Sequence, residues 1–134
     1  MTGQPRSRGQ LRVLLIEDSA LLRQLMQEMF AEIEGVELVG VADGEKAALD
    51  TLEKKAADLA IVDLELGEGS GLGVLRSLSE APDRYGQPRA VVFSSHARES
   101  LRRRCSAYGA EAFFDKANGM NELMDFVQAA VASR

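Results

Sequence analysis

Five short apolar runs alternate with five segments whose apolar residues recur at helical spacing. No other feature limits the fold of this chain as much. The runs are residues 11–16, 36–41, 58–63, 90–94 and 111–115. They are nearly continuous in apolar character, which is how strands buried on both faces read. Strands that alternate with helices pair in parallel, because each crossover returns the chain to the same edge. Right-handed crossovers leave only a few doubly wound arrangements. The expectation is an α/β domain with helices on both faces of a parallel sheet.

The intervening segments carry helix signals. Ser19 is placed to cap a helix whose inner face is Leu22, Leu25, Met26, Met29, Phe30 and Ile33, with Gly35 as its stop. A second helix follows the Asp43-Gly44 turn and runs to about Ala56, with Ala48, Leu49 and Leu52 inward. A short third helix carries Leu72, Leu75 and Leu78. Residues 81–88 read as a surface connection. A fourth helix runs from about Arg98 to Tyr108, stopped by Gly109, and a last one from about Asn121 to Ala132. Residues 1–10 read as a disordered lead-in and 11–132 as one domain.

The formal net charge of −5 argues against bulk electrostatic attachment to nucleic acid. No apolar run reaches the roughly 18 residues a membrane span requires, and the N-terminal stretch lacks the apolar segment of a secretory signal. The single cysteine, Cys105, excludes an intrachain disulfide and fits a reducing, cytoplasmic setting. It lies on the same helical face as Leu101 and Tyr108, which suits a small buried hydrophobe better than a reactive thiol.

What closes each strand is informative. The first run ends in Glu17-Asp18, the third in Asp63, the fourth in Ser94 and the fifth in Asp115-Lys116. In open parallel sheets, ligands bind outside the carboxyl ends of the strands where the strand order reverses. Glu17, Asp18, Asp63, Ser94 and Lys116 would therefore share one edge. Three close carboxylates repel one another. A hard cation such as Mg²⁺ and the compact Lys116 ammonium would each relieve that repulsion. Asp63 could then attack phosphorus to form an acyl phosphate. Taken singly these residues have plainer readings: Glu17-Asp18 as a turn and helix cap, Lys116 as a surface lysine.

Together the segments Leu14-Leu15-Ile16-Glu17-Asp18-Ser19, Ile61-Val62-Asp63-Leu64, Gly69-Ser70-Gly71-Leu72, Val92-Phe93-Ser94 and Gly109-Ala110-Glu111-Ala112-Phe113-Phe114-Asp115-Lys116 resemble the response regulator receiver domain of two-component signalling. The resemblance covers roughly residues 10–132. It implies a flavodoxin-like (βα)5 fold with strand order 2-1-3-4-5. It implies that Asp63 is the phosphoacceptor, fed by a sensor histidine kinase or a histidine phosphotransfer protein. Asp18, Asp63 and the backbone carbonyl of Glu65 would hold Mg²⁺, and Glu17 would reach it through water. Ser94 would be the switch hydroxyl, Lys116 the phosphate-pairing lysine and Phe113 an aromatic rotamer switch; the plainer reading of Phe113 is a core aromatic.

Three positions depart from the family pattern. Gly67 stands where a proline is frequent, so its loop has less intrinsic stiffness. Ala117 follows the lysine where proline is usual, so a trans peptide is expected there. Glu65 adds a negative charge beside the phosphoryl position, and an altered dephosphorylation rate is expected from it.

The expected function is a signalling switch rather than an enzyme. Phosphorylation would change the face formed by residues 98–108, 111–115 and 121–132, for a downstream protein or a second copy of the chain. Arg98, Arg102, Arg103 and Arg104 make the first turns of the fourth helix basic; they are either a solvated helix surface or a match for an acidic partner. His96 reads as an exposed loop residue. No direct nucleic-acid contact and no membrane insertion are expected. Alternatives are a receiver belonging to a longer DNA-binding regulator and a Mg²⁺-dependent phosphatase. The phosphatase would carry Asp-x-Asp on its first strand, where this chain has Glu17-Asp18. A flavin protein is disfavoured, because Glu17-Asp18-Ser19-Ala20 would repel a phosphate.

Overall fold

The computed structural model describes residues 10–95 and 98–134. The expected lead-in before Gln10, and His96, lie outside the described residues. Five strands form one parallel sheet in the order β2-β1-β3-β4-β5, the arrangement that the resemblance implies. They are β1 (Leu11–Ile16), β2 (Val36–Ala42), β3 (Leu59–Val62), β4 (Arg89–Ser94) and β5 (Ala110–Asp115). The helices are α1 (Ala20–Ala31), α2 (Glu45–Lys54), α3 (Gly71–Glu80), the single-turn α4 (Pro82–Tyr85), α5 (Glu99–Ala107) and α6 (Met120–Ala132). No helix among the described residues is long and apolar enough to cross a membrane.

Side chains of a strand alternate between faces, and both faces here are apolar. Leu14, Ile16, Ala60, Val62, Ala90 and Val92 pack against α2, α3 and α5. Leu11, Val13, Leu15, Leu59, Ile61, Val91 and Phe93 pack against α1 and α6. This two-sided burial explains why the strands read as unbroken apolar runs. Cys105 is buried in the first layer, and that burial raises its thiol pKa.

Two expectations need correction. Leu25 does not face the sheet but is 47% exposed. Successive helical residues turn by about 100°, so Leu25 lies about 100° round from the buried Met26. The connection 81–88 is not plain surface. It contains α4, started by Pro82 and ended by Gly86 at φ 80, and it buries Tyr85. Arg84 pairs with Glu53 of α2 and lies over the Tyr85 ring.

The register of β5 matters most for the site. Ala90 pairs with Ala110, but Val92 pairs with Phe113, so β5 holds one extra residue. Such a bulge exchanges which residues face which side. Beyond it Phe113 joins the α5 side, Phe114 joins the α6 side, and Asp115 sits opposite Ser94. The Lys116 amide then donates to the Ser94 carbonyl at 3.1 Å.

Candidate functional site

The carboxyl ends of β1, β3, β4 and β5 converge on Asp63. Its amide donates to the Ile16 carbonyl at 3.0 Å, which seats it beside the end of β1. The residue is 2% exposed. Lys116 Nζ lies 2.8 Å from Asp63 Oδ2 and 2.9 Å from Glu17 Oε1. On the other oxygen, Ser94 Oγ donates to Asp63 Oδ1 at 3.1 Å and the Glu65 amide donates to it at 3.2 Å. Ser94 is itself buried and accepts from the Leu64 amide at 3.4 Å.

Glu17 is 1% exposed and also accepts from the Ser19 amide at 3.0 Å. Burial, with the Asp63 charge adding to it, raises the Glu17 carboxyl pKa above the usual range, against the pull of Lys116. For Lys116, burial would lower the pKa. Hydrogen bonds and attraction from Asp63 and Glu17 outweigh it, and the ammonium is held above its ordinary value. Both directions come from one arrangement: two nearly buried acids sharing a single cation.

Asp18 completes the group. It is exposed, and oxygens of Glu17, Asp18 and Asp63 all lie within 4.8 Å of one another. Three carboxylates face one ammonium, so negative charge remains in excess. An oxygen-only set of this kind, with one member open to water, fits Mg²⁺, which keeps several waters and takes one or two carboxylates. Glu65 offers its main chain to the site while its side chain is exposed. Phe113 is half-buried on β5, with the Arg102 guanidinium 4.5 Å above its ring.

Several residues that hold this geometry were not singled out by sequence reasoning. Arg23 of α1 donates to the Glu17 carbonyl at 2.8 Å. Gly71 begins α3 so close to β3 that an added Cβ would overlap the Asp63 carbonyl oxygen and lie 2.7 Å from Leu64 Cα. Asp115 accepts from the Ala117 amide at 2.7 Å and so shapes the turn after Lys116. The described residues contain no cis peptide bond. Gly71 was legible as part of a motif, but the contact that demands it lies eight residues back at Asp63.

The family model for the response regulator receiver domain matches residues 13–128. Among curated proteins, a protein-glutamate methylesterase/protein-glutamine glutaminase of Desulfotalea psychrophila is 34% identical over 103 residues, covering 77% of this chain and 28% of that protein. A Myxococcus xanthus protein of the same description is 38% identical over 90 residues, covering 67% and 25%. The chain thus spans only about a quarter of the length of these relatives. Among solved structures, the response regulator domain of Thermotoga maritima CheB superposes with a TM-score of 0.79 at 21% identity, covering 92% of this chain and 97% of that one. A LuxR-family two-component response regulator from Aurantimonas gives 0.81 at 21% identity, covering 93% and 87%.

Proposed function

Since the chain belongs to the response regulator receiver domain family, we propose that it accepts a phosphoryl group on Asp63 and passes that event on by protein contact. The observation that carries this reading is the set of partners around one buried carboxylate. Asp63 has a cation on one oxygen, a hydroxyl and an amide on the other, and two further acids within 4.8 Å.

A sensor histidine kinase or a histidine phosphotransfer protein is the donor. One Asp63 oxygen bonds to phosphorus as the bond from phosphorus to the donor imidazole nitrogen breaks, leaving an acyl phosphate here and a free histidine there. Lys116, the Ser94 hydroxyl and the Glu65 amide are pre-aimed donors for the phosphoryl oxygens. Asp18, Asp63 and the Glu65 carbonyl would hold Mg²⁺, with Glu17 acting through water. When bound, the ion supplies neutralisation of the charge gathered on those oxygens.

The output face is α5, β5 and α6. A groove of about 440 Å³ runs there, lined by Glu99, Arg102, Arg103, Ser106, Ala112 and Phe113. Drawing Ser94 toward a phosphoryl group opens space beside Phe113, and an inward turn of that ring takes it from under Arg102. The freed guanidinium then belongs to an acidic partner or a second copy of the chain. This is a population shift, driven by contacts the phosphoryl group makes better in one state. The setting is cytoplasmic, with neither nucleic acid nor membrane contacted directly.

A second reading is favoured by the length of the relatives: this receiver serves a longer regulator. An attached methylesterase domain then has more support than the DNA-binding one named as an alternative from sequence, and the flanking reading frame decides it.

The test is intact mass after treatment with acetyl phosphate and Mg²⁺. Wild type should gain one phosphoryl group and Asp63→Asn none. Equal labelling of both would end this assignment. Multiple turnover of an external phosphomonoester would return the phosphatase reading.

A further inference from the structure

The loop between β3 and α3 contributes the Leu64 and Glu65 amides to the site. A bridge between Glu65 and Ser70 and the Gly71 amide donating to the Leu64 carbonyl at 3.1 Å close its ends, and its middle has no such bond of its own among the described residues. Gly67 and Gly69 lie within it, and Gly69 sits at φ +72, where only glycine rests without strain. At Glu68 and Ser70 the loop is held by α2. The Glu45 amide donates to the Glu68 carbonyl at 2.9 Å. The Lys46 amide donates to Glu68 Oε1 at 2.9 Å, and the Ser70 amide donates to Glu45 Oε1 at 2.9 Å.

These bonds amount to an exchange of helix caps. Ser70 caps α3 and accepts from the Gly73 amide at 2.9 Å. In a capping box, the side chain three residues on reaches back to the amide of the capping residue. Here that position is Gly73, and Glu45 of α2 supplies the missing carboxylate. At α2 the cap is Gly44, which has no side chain to offer, and Glu68 of the loop supplies it. The glycines leave the room. A Cβ at Gly44 would lie 2.8 Å from Glu68 Oε1, one at Gly69 2.5 Å from Glu45 Oε1, and one at Gly73 2.5 Å from Glu45 Oε1. Each carboxylate also meets the positive end of a helix dipole. Five positions, 44, 45, 68, 69 and 73, thus fit together across a sequence separation of more than 20 residues.

We infer that Glu45 and Glu68 are positioning residues of the phosphorylation site, clasping the 64–70 loop to α2 so that the Leu64 and Glu65 backbone stays aligned with Asp63. Neither side chain touches the phosphoryl position. They act through the loop, in the place where the family more often has a proline. The inference rests on the reading of Asp63 and its metal given above.

The experiment compares wild type with Glu45→Ala, Glu68→Ala and Glu45→Gln. Amide hydrogen exchange is followed without metal, and Mg²⁺ affinity by calorimetry. Loss of a group bonded directly to a metal ligand typically weakens binding by about tenfold or more; Glu45 and Glu68 stand one bond further out, so a loss of up to about tenfold is expected. Glu45→Ala and Glu68→Ala should show such a loss, with faster exchange at the Glu65, Ser70 and Lys46 amides. Glu45→Gln keeps an acceptor oxygen and should restore most of both. Unchanged exchange at Glu65, or a lower thermal midpoint with Mg²⁺ affinity intact, would reduce the clasp to ordinary helix capping and overturn the inference. If wild type itself binds no Mg²⁺, the metal assignment fails, and the exchange at Glu65 still judges the clasp.

Discussion

Lys116 Nζ sits between two carboxylates, 2.8 Å from Asp63 Oδ2 and 2.9 Å from Glu17 Oε1. Both acids are nearly inaccessible to water; the Ser94 hydroxyl and the Glu65 and Ser19 amides satisfy some of their oxygens, and this one cation supplies the opposing charge. Removing one partner from such a group leaves uncompensated buried charge. Lys116→Met should lower the unfolding free energy at pH 7 by about 2–4 kcal/mol, somewhat less than a fully buried pair because the lysine retains partial exposure. Added Mg²⁺ should recover more stability in the variant than in wild type, since the freed oxygens gain a substitute cation. Urea titrations with and without the ion check this. Equal recovery in both proteins would mean that lysine and metal do not share these acids.

Gly71 gives a prediction whose sign depends on magnitudes. Alanine is the better helix former by about 1 kcal/mol in a helix interior, and by less at a first turn. An added methyl here would overlap the Asp63 carbonyl and crowd Leu64. Overpacking of this kind typically costs about 1–3 kcal/mol, so the clash prevails. Gly71→Ala should lower stability and, by displacing Asp63, slow labelling by acetyl phosphate. A variant more stable than wild type would contradict the packing described.

Acid sensitivity follows from Asp58. Burial pushes its carboxyl up, but hydrogen bonds from the Arg12 side chain and backbone, with the charge of Arg134, outweigh it and hold the pKa below its usual 3.8. A depressed carboxylate contributes stability that is whole above its unfolded value and lost as pH falls through the folded one. Stability should therefore decline below about pH 3.8. Asp58→Asn should weaken the fold near neutrality by about 1–2 kcal/mol and flatten that decline in part. The remainder belongs to groups such as Glu111, which Arg89 also holds low. Urea midpoints measured from pH 2 to pH 7 provide the check.

Ser94 already donates to Asp63 at 3.1 Å without a phosphoryl group. On the proposed function, Lys116 carries the larger part of acceptance and Ser94 the transmission toward Phe113. Ser94→Ala should keep labelling within a few-fold of wild type and abolish the phosphorylation-dependent change in binding or self-association at the α5-β5-α6 face. Labelling lost altogether would make Ser94 part of the transfer chemistry instead.

Much was legible in sequence because the signals are local. Unbroken apolar runs and helical periodicity belong to single segments, so the α/β class and the five strands follow without knowledge of neighbours. The site residues were legible because each closes a strand, and parallel strands share one carboxyl edge. Leu25 was misread because apolar character alone does not say how far round a helix the core extends. The helix at Pro82–Tyr85 was missed because turn-forming residues also start helices.

The chain on its own thus determined the layered fold and the gathering of Glu17, Asp18, Asp63, Ser94 and Lys116 at one edge, since hydrophobic period and the shared carboxyl edge of parallel strands carry that information, while the strand order was implied by the family resemblance. Tertiary structure alone decided the extra residue in β5 that turns Phe113 toward α5, the contact that requires glycine at 71, and the exchange of caps between Glu45 and Glu68. Each of these depends on which distant backbone lies within a few ångströms, and that proximity exists only once the sheet and its helices have packed.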